Sequence, residues 1–121
     1  MEEVKKQGME SLFCPYELAL ELKELGFEEP CMRGWDKNGK IWYHPDSDIV
    51  LDNPTFSQAF RFFREKYKLL SFVDIDNSYR IYCDDIKFDL DIDSRIFKTY
   101  EEAELECLVK LIEIAKEQNV K

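Results

Sequence analysis

The only histidine, His44, stands in "YHPDSD" with Asp46 and Asp48 at alternate positions. An imidazole beside two carboxylates is the raw material of a metal site or an acid–base pair. With one histidine in 121 residues, a two-histidine metal site is excluded, and a catalytic one needs an Asp or Glu brought in from elsewhere. A hairpin-end histidine followed by a proline-aspartate turn explains the same residues. Cys14, Cys31, Cys83 and Cys107 are scattered, with no C-x-x-C pair, so they read as free thiols, two or three of them packed in a core. A cysteine–histidine nucleophile pair lacks any family signature here. Gly8, Gly26, Gly34 and Gly39 are isolated and form no phosphate loop. Asp74, Asp76 and Ser78 occupy the first, third and fifth positions of a calcium-loop pattern, but its sixth position is Tyr79 and its twelfth Asp85. That departure leaves a plain hairpin turn at Asp76-Asn77-Ser78. No catalytic residue, metal ligand or cofactor is therefore assigned.

The remaining chemical pattern is charge. In "DDIKFDLDIDSR", residues 84–95, acids alternate with hydrocarbon. A strand would send Asp89, Asp91 and Asp93 one way and Phe88, Leu90 and Ile92 the other. With Asp74 and Asp76 on the outer face of a neighbouring strand, one sheet face would carry five carboxylates. Such a row repels itself and resembles the regular charge of a nucleic-acid backbone. Its plainer counterpart is a solvated face guarding an edge strand.

The elements that must hold these residues are legible. "CPYELALELKELGF" reads as a helix, with Pro15 in its first turn and Gly26 at its stop. "CMRGWDKNGKIWYH" reads as a hairpin around Asn38-Gly39. Counting outward pairs Lys37 with Lys40, Asp36 with Ile41 and Trp35 with Trp42, so the two indoles are expected side by side. If uncovered, they would form an aromatic patch suited to a partner or a dimer. After a loop, "PDSDIVLDNP", the segment "TFSQAFRFFREKY" reads as a second helix with Thr55 and Gln58 at capping-box spacing. "LLSFVDID" and "YRIYCDD" make a second hairpin, with "KFDLDID" behind it. "TYEEAELECLVKLIEIA" opens the C-terminal helix, where Thr99 and Glu102 repeat the capping box. The order α-β-β-α-β-β-β-α predicts a single α+β domain over 1–121, an antiparallel sheet with helices packed on it, preceded by a charged N-terminal arm over 1–12 with scope for flexibility.

Apolar residues at 45% and aromatics at 14% predict a chain that folds unaided. Twenty-six acids against seventeen bases, net −9, disfavour nucleic acid and anionic membranes and favour a basic partner. From Thr55 onward the α-β-β-β-α order matches double-stranded-RNA-binding domains, but Glu101, Glu102, Glu104 and Glu106 stand where lysines would meet phosphate. No apolar stretch has the length of a signal peptide core or a membrane span, so a cytoplasmic protein is expected.

Three segments, "ELKELGFEEPC" at 21–31, "PTFSQAFRFFREKYKL" at 54–69 and "FKTYEEAELECLVKLIEIAKE" at 97–117, resemble a family of small proteins encoded by phages and prophages of gut bacteria. The resemblance covers about half the chain, and the last segment carries it most specifically. That family has no assigned activity, so the resemblance implies a phage context and brings no catalytic residue with it.

The sequence thus predicts a non-enzymatic, acidic binding protein, an inhibitor of a basic host or defence protein, acting through Asp74, Asp76, Asp89, Asp91 and Asp93. A small enzyme or metal-dependent protein centred on His44 is the alternative. A homodimeric module, with Trp35 and Trp42 in its contact, is the third.

Overall fold

The computed structural model describes residues 11–83, 88–93 and 96–120, with side chains for all of these except residues 83, 88–93 and 120. The elements run helix α1 (Tyr16–Glu24), strands β1 (Arg33–Trp35), β2 (Ile41–Tyr43) and β3 (Leu51–Asn53), helix α2 (Phe56–Lys66), strands β4 (Leu69–Val73), β5 (Tyr79–Cys83) and β6 (Phe88–Asp93), and helix α3 (Tyr100–Val120). This is an α+β protein. It has one strand more than the patterning predicts, and its strands form two antiparallel sheets, ordered β2-β1-β3 and β4-β5-β6. Contacts gather into two compact units, Met1–Gln58 and Ala59–Lys121, with α2 beginning in the first and continuing in the second. Nearly all of the expected N-terminal arm lies outside the described residues.

In the first unit, α1 closes at Gly26 (φ 107°), where Gly26 N–H donates to Lys23 O and Phe27 N–H to Leu22 O. This pair of bonds satisfies orphan carbonyls of the last turn, and Leu22 and Phe27 are both buried. Helix α1 lies on β3, sharing a buried cluster of Ala19, Trp35 and Leu51. Strand β3 comes from a segment expected to be loop. Gly34 makes it possible: a Cβ there would lie 2.5 Å from both Ile49 Cγ2 and Leu51 O, so β3 approaches β1 more closely than any side chain allows.

The β1–β2 hairpin is shifted from expectation by one residue. Asp36 N–H donates to Lys40 O and Gly39 N–H to Asp36 O, while the Asp36 carboxylate accepts from the Asn38 and Lys40 amides. Three residues, ending in left-handed Gly39 (φ 84°), therefore form the loop where two were expected. Trp35 stands opposite Ile41 and Trp42 opposite Gly34. The indoles project to opposite faces, which removes the expected Trp35–Trp42 pair and the patch built on it. Trp35 is buried and meets Tyr16 edge-on at 5.0 Å, whereas Trp42 Nε1 donates to Asp36 Oδ2 at 2.8 Å.

Beneath α1, Arg33 is only 2% exposed. Its Nε donates to Asn53 Oδ1 at 2.8 Å and its guanidinium lies 3.8 Å over the Phe13 ring. Asn53 Nδ2 in turn donates to Cys14 O. The chain before α1 runs beside the chain before α2: Phe13 bridges Thr55, Cys14 N–H donates to Pro54 O and Phe56 N–H to Leu12 O.

Helix α2 starts with the expected capping box, Thr55 N–H donating to Gln58 Oε1 and Gln58 N–H to Thr55 Oγ1. In the second unit α3 lies on β4 and β5. Ala103, Cys107, Leu108, Leu111, Ile112 and Ala115 face inward, together with Leu69, Tyr79 and Ile81. Each large apolar side chain so buried contributes roughly 1.5–3 kcal/mol. Leu105, Val109 and Ile114 are half-buried, so α3 covers its sheet along a narrower stripe than its composition suggests. Cys14, Cys31 and Cys107 are buried thiols.

Candidate acidic site

The loop joining β4 to β5 repeats the geometry of the first hairpin. Asp74 N–H donates to Ser78 O, Asn77 N–H donates to Asp74 O, and Asn77 takes the left-handed position (φ 64°). Asp74 Oδ1 accepts from the Ile75 amide, and Asp76 Oδ1 from the amide and hydroxyl of Ser78. Asp76 lies in the hairpin turn expected at Asp76-Asn77-Ser78, and neither it nor Asp74 belongs to a strand face, which corrects their place in the five-carboxylate row. Bonding to Ser78 first of all, and the charge of Arg80 last, holds the Asp76 carboxyl below its ordinary value.

The turn is tied to the start of α3. Phe97 N–H donates to Asn77 O, Asn77 Nδ2 donates to Lys98 O, and Phe97 stacks on Tyr79 at 6.2 Å. Thr99 Oγ1 accepts from the Glu102 amide and Glu102 Oε1 from the Lys98 amide, a cap whose returning carboxylate reaches one residue further back than expected. The turn bearing Asp74 and Asp76 is thereby held to the start of α3, which bears Glu101, Glu102 and Glu104, and among the described residues Arg80 and Lys98 are cations of these same segments. Burial first, then the charge of Glu101, pushes the Glu104 carboxyl up to about 7. Burial, then Glu104 and Glu101, raises the Tyr100 phenol. Among these charges Ile75 is 99% exposed and Ile96 67%, a combination of anionic rim and uncovered hydrocarbon that fits a partner surface.

Asp89, Asp91 and Asp93 carry the other part of the expected row. Their carboxylates lie outside the described side chains, but their register is defined. Asp93 stands opposite Tyr79 and Asp91 opposite Ile81, while Asp89 stands opposite Tyr82 beyond a register shift. Tyr79 and Ile81 are buried and adjacent Tyr82 is half-exposed. The register therefore does not carry the three aspartates along one side of β5, because the bulge breaks the period on which that expectation rests. Asp93 alone sits at the strand end that meets the turn. From the sequence Glu101 and Glu104 count only against RNA binding, not as members of a site, and Ile75 is not singled out. The run "DIDNS" followed by "TYEEAE" held the signal, and the Asn77 contacts and the Tyr79–Phe97 stack join its two halves.

The His44 alternative has a real geometry in the first unit. His44 Nε2 lies 2.8 Å from Asp52 Oδ1, at a cleft of about 290 Å³ whose walls include Lys23, Glu28, Phe27 and Leu51. The partner is Asp52, supplied by the unforeseen β3, and not Asp46 or Asp48. Asp46 Oδ1 accepts from the Asp48 amide in a turn of its own. Asp52 also acts on Cys31, whose thiol is pushed up to about 12 by burial, then by Asp52 and Glu29. A thiol kept protonated is no nucleophile, so Cys31 is not the thiolate of a cysteine–histidine pair. Among the described residues no three His, Cys, Asp or Glu converge as metal ligands, and no helix is long and apolar enough to cross a membrane.

No protein-family model, curated protein or solved structure matches this chain.

Proposed function

We propose that the protein is a non-catalytic, cytoplasmic binding module that engages a basic protein through the acidic end of its second unit. The observation that carries the reading is the bonding of the Asp74–Asp76 turn, with Ile75 exposed within it, to the start of α3, where Glu101, Glu102 and Glu104 follow one another and the charge of Glu101 bears on Glu104. Cations of a partner would relieve that repulsion, and Ile75 and Ile96 would supply the apolar contact that charge alone lacks. The phage resemblance of segments 21–31, 54–69 and 97–117 suits an inhibitor of a basic host or defence protein, one whose surface otherwise meets nucleic acid.

The test is capture from a host lysate on the immobilised full chain, at ~0.1 M and ~1 M salt, where the screening length falls from about 10 to 3 Å. A specific partner should bind at low salt and thin out at high salt. It should be lost from an Asp74→Asn, Asp76→Asn, Ile75→Ser variant, in which each asparagine keeps an accepting oxygen for its turn. Undiminished capture by that variant would refute the assignment. A second reading, a small enzyme, is favoured only by the 2.8 Å His44–Asp52 contact; a well-folded His44→Gln protein that loses the phenotype of the wild type would establish it.

A further inference from the structure

The bonds that close the first hairpin also determine which backbone groups of β2 are left over. Asp36 N–H donates to Lys40 O at 2.9 Å and His44 N–H to Met32 O at 3.0 Å. Asp36/Lys40, Gly34/Trp42 and Met32/His44 are thus the hydrogen-bonded pairs of the β1–β2 ladder. Such pairs alternate with non-bonded ones in antiparallel sheets, so Ile41 and Tyr43 turn their N–H and C=O groups away from β1. Strand β2 is the outer strand of its sheet, and those groups line its edge. The side chains of Ile41 and Tyr43 are exposed as well. They share the face of Trp35, which sits opposite Ile41 and against Tyr16. Tyr16 and Leu20, one turn apart on α1, are also exposed. Among the described residues, therefore, an open strand edge runs beside an apolar strip.

We propose that this edge pairs with the β2 edge of a second copy of the chain, antiparallel about Trp42, joining two three-stranded sheets into one of six strands. A two-fold axis through Trp42 sets Ile41 of one copy opposite Tyr43 of the other, so that every outward N–H meets an outward C=O. The same operation carries Lys37 and Lys40, at the hairpin tip of one copy, toward His44, Asp46 and Asp48 of the other. The junction is then close to neutral in a chain whose net charge is −9. Lysines on an edge strand ordinarily discourage pairing; here the symmetric arrangement provides them with acidic counterparts, whereas a basic partner would be repelled. This surface is consequently distinct in chemistry from the acidic end of the second unit.

Sedimentation equilibrium of the full chain, from about 1 µM to about 1 mM, spans the range of weak association. The mass should rise from 14.5 kDa toward twice that value. Ile41→Lys, at an exposed position, should keep the wild-type circular dichroism and weaken the dimer at least tenfold, as should Lys37→Glu with Lys40→Glu. A wild-type chain that stays monomeric throughout overturns the proposal, as does an Ile41→Lys chain that associates like the wild type. Independently of any variant, hydrogen exchange at the Ile41 and Tyr43 amides should slow at least tenfold with rising concentration, and exchange that ignores concentration overturns it too.

Discussion

Replacing Glu104 tests the electrostatics of the acidic end most directly. Its carboxyl is pushed from an ordinary 4.5 up to about 7, by burial first and by Glu101 second. The unfolded chain releases this proton at the ordinary value. Between about pH 4.5 and 7 the folded chain therefore holds a proton that the unfolded chain has lost, so stability falls as pH rises through that window and stays reduced above it. At ~1.36 kcal/mol for each pH unit between the two values, a fully buried group would cost about 3.4 kcal/mol. Glu104 is only half-buried, and solvent screening brings the expected effect to about 1–2 kcal/mol. Glu104→Gln keeps the shape and removes the charge. The variant should match the wild type near pH 4 and exceed it by about 1–2 kcal/mol at pH 8. Urea unfolding should be followed by far-ultraviolet circular dichroism, to which the 21 residues of α3 contribute directly, whereas Trp35 and Trp42 both lie in the first unit. A difference independent of pH, or a less stable glutamine variant at pH 8, would refute the reasoning.

Gly34→Ala should cost about 2–3 kcal/mol in urea unfolding followed by indole fluorescence, because its methyl would overlap the Leu51 carbonyl as well as Ile49; a loss within experimental error would mean that β3 is not where it is described. Asn53→Ala strips a buried acceptor from Arg33 and a donor from Cys14 O and should cost about 2–3 kcal/mol in the same assay. Cys31, with its thiol near 12, should resist iodoacetamide at pH 8 in the native protein, with prompt carbamidomethylation in peptide maps as the contrary result. Asp36 is held below its ordinary 3.8 by the Trp42 indole N–H first and by the Lys40 amide next, a contribution to stability present at neutral pH and lost as pH falls through the lowered value. Trp42→Phe should bring its titration, followed by carboxyl NMR, back up toward 3.8.

Helix starts and stops were legible because their chemistry is local: Thr55 with Gln58 and Thr99 with Glu102 each act within one turn, and Gly26 ends α1 where a left-handed residue is required. Strand β3 was not, because Leu51-Asp52-Asn53 sits among aspartates, prolines and asparagines and becomes a strand only through the close approach that Gly34 permits from seventeen residues away. The register of the first hairpin turned on a single detail. Asp36 spends its carboxylate and carbonyl on the turn, which lengthens the loop to three residues and reverses the face of Trp42. The bulge in β6 had the same effect on the aspartate row. For the acidic site, the charges were visible in the sequence, but their assembly depends on Asn77 reaching Phe97 and Lys98, and no periodicity encodes that contact.

The run at residues 12–14 that lies beside residues 53–56 also bears on the order in which the first unit assembles. Asn53 reaches Cys14 O across 39 positions, so the two short runs are the ends of a ring that holds α1 and the whole first sheet. Bringing such ends together costs roughly 3 kcal/mol of chain entropy before any contact between them forms. The hairpin, with its local bonds, can form early. Arg33 meets Phe13 and Asn53 only once those ends have come together, so its burial in this arrangement is tied to closure of the ring. A chain shortened beyond Phe13 would keep the hairpin's local bonds and lose the Phe13 ring that covers the Arg33 guanidinium and the bridge that ties residues 12–13 to Thr55 and Phe56.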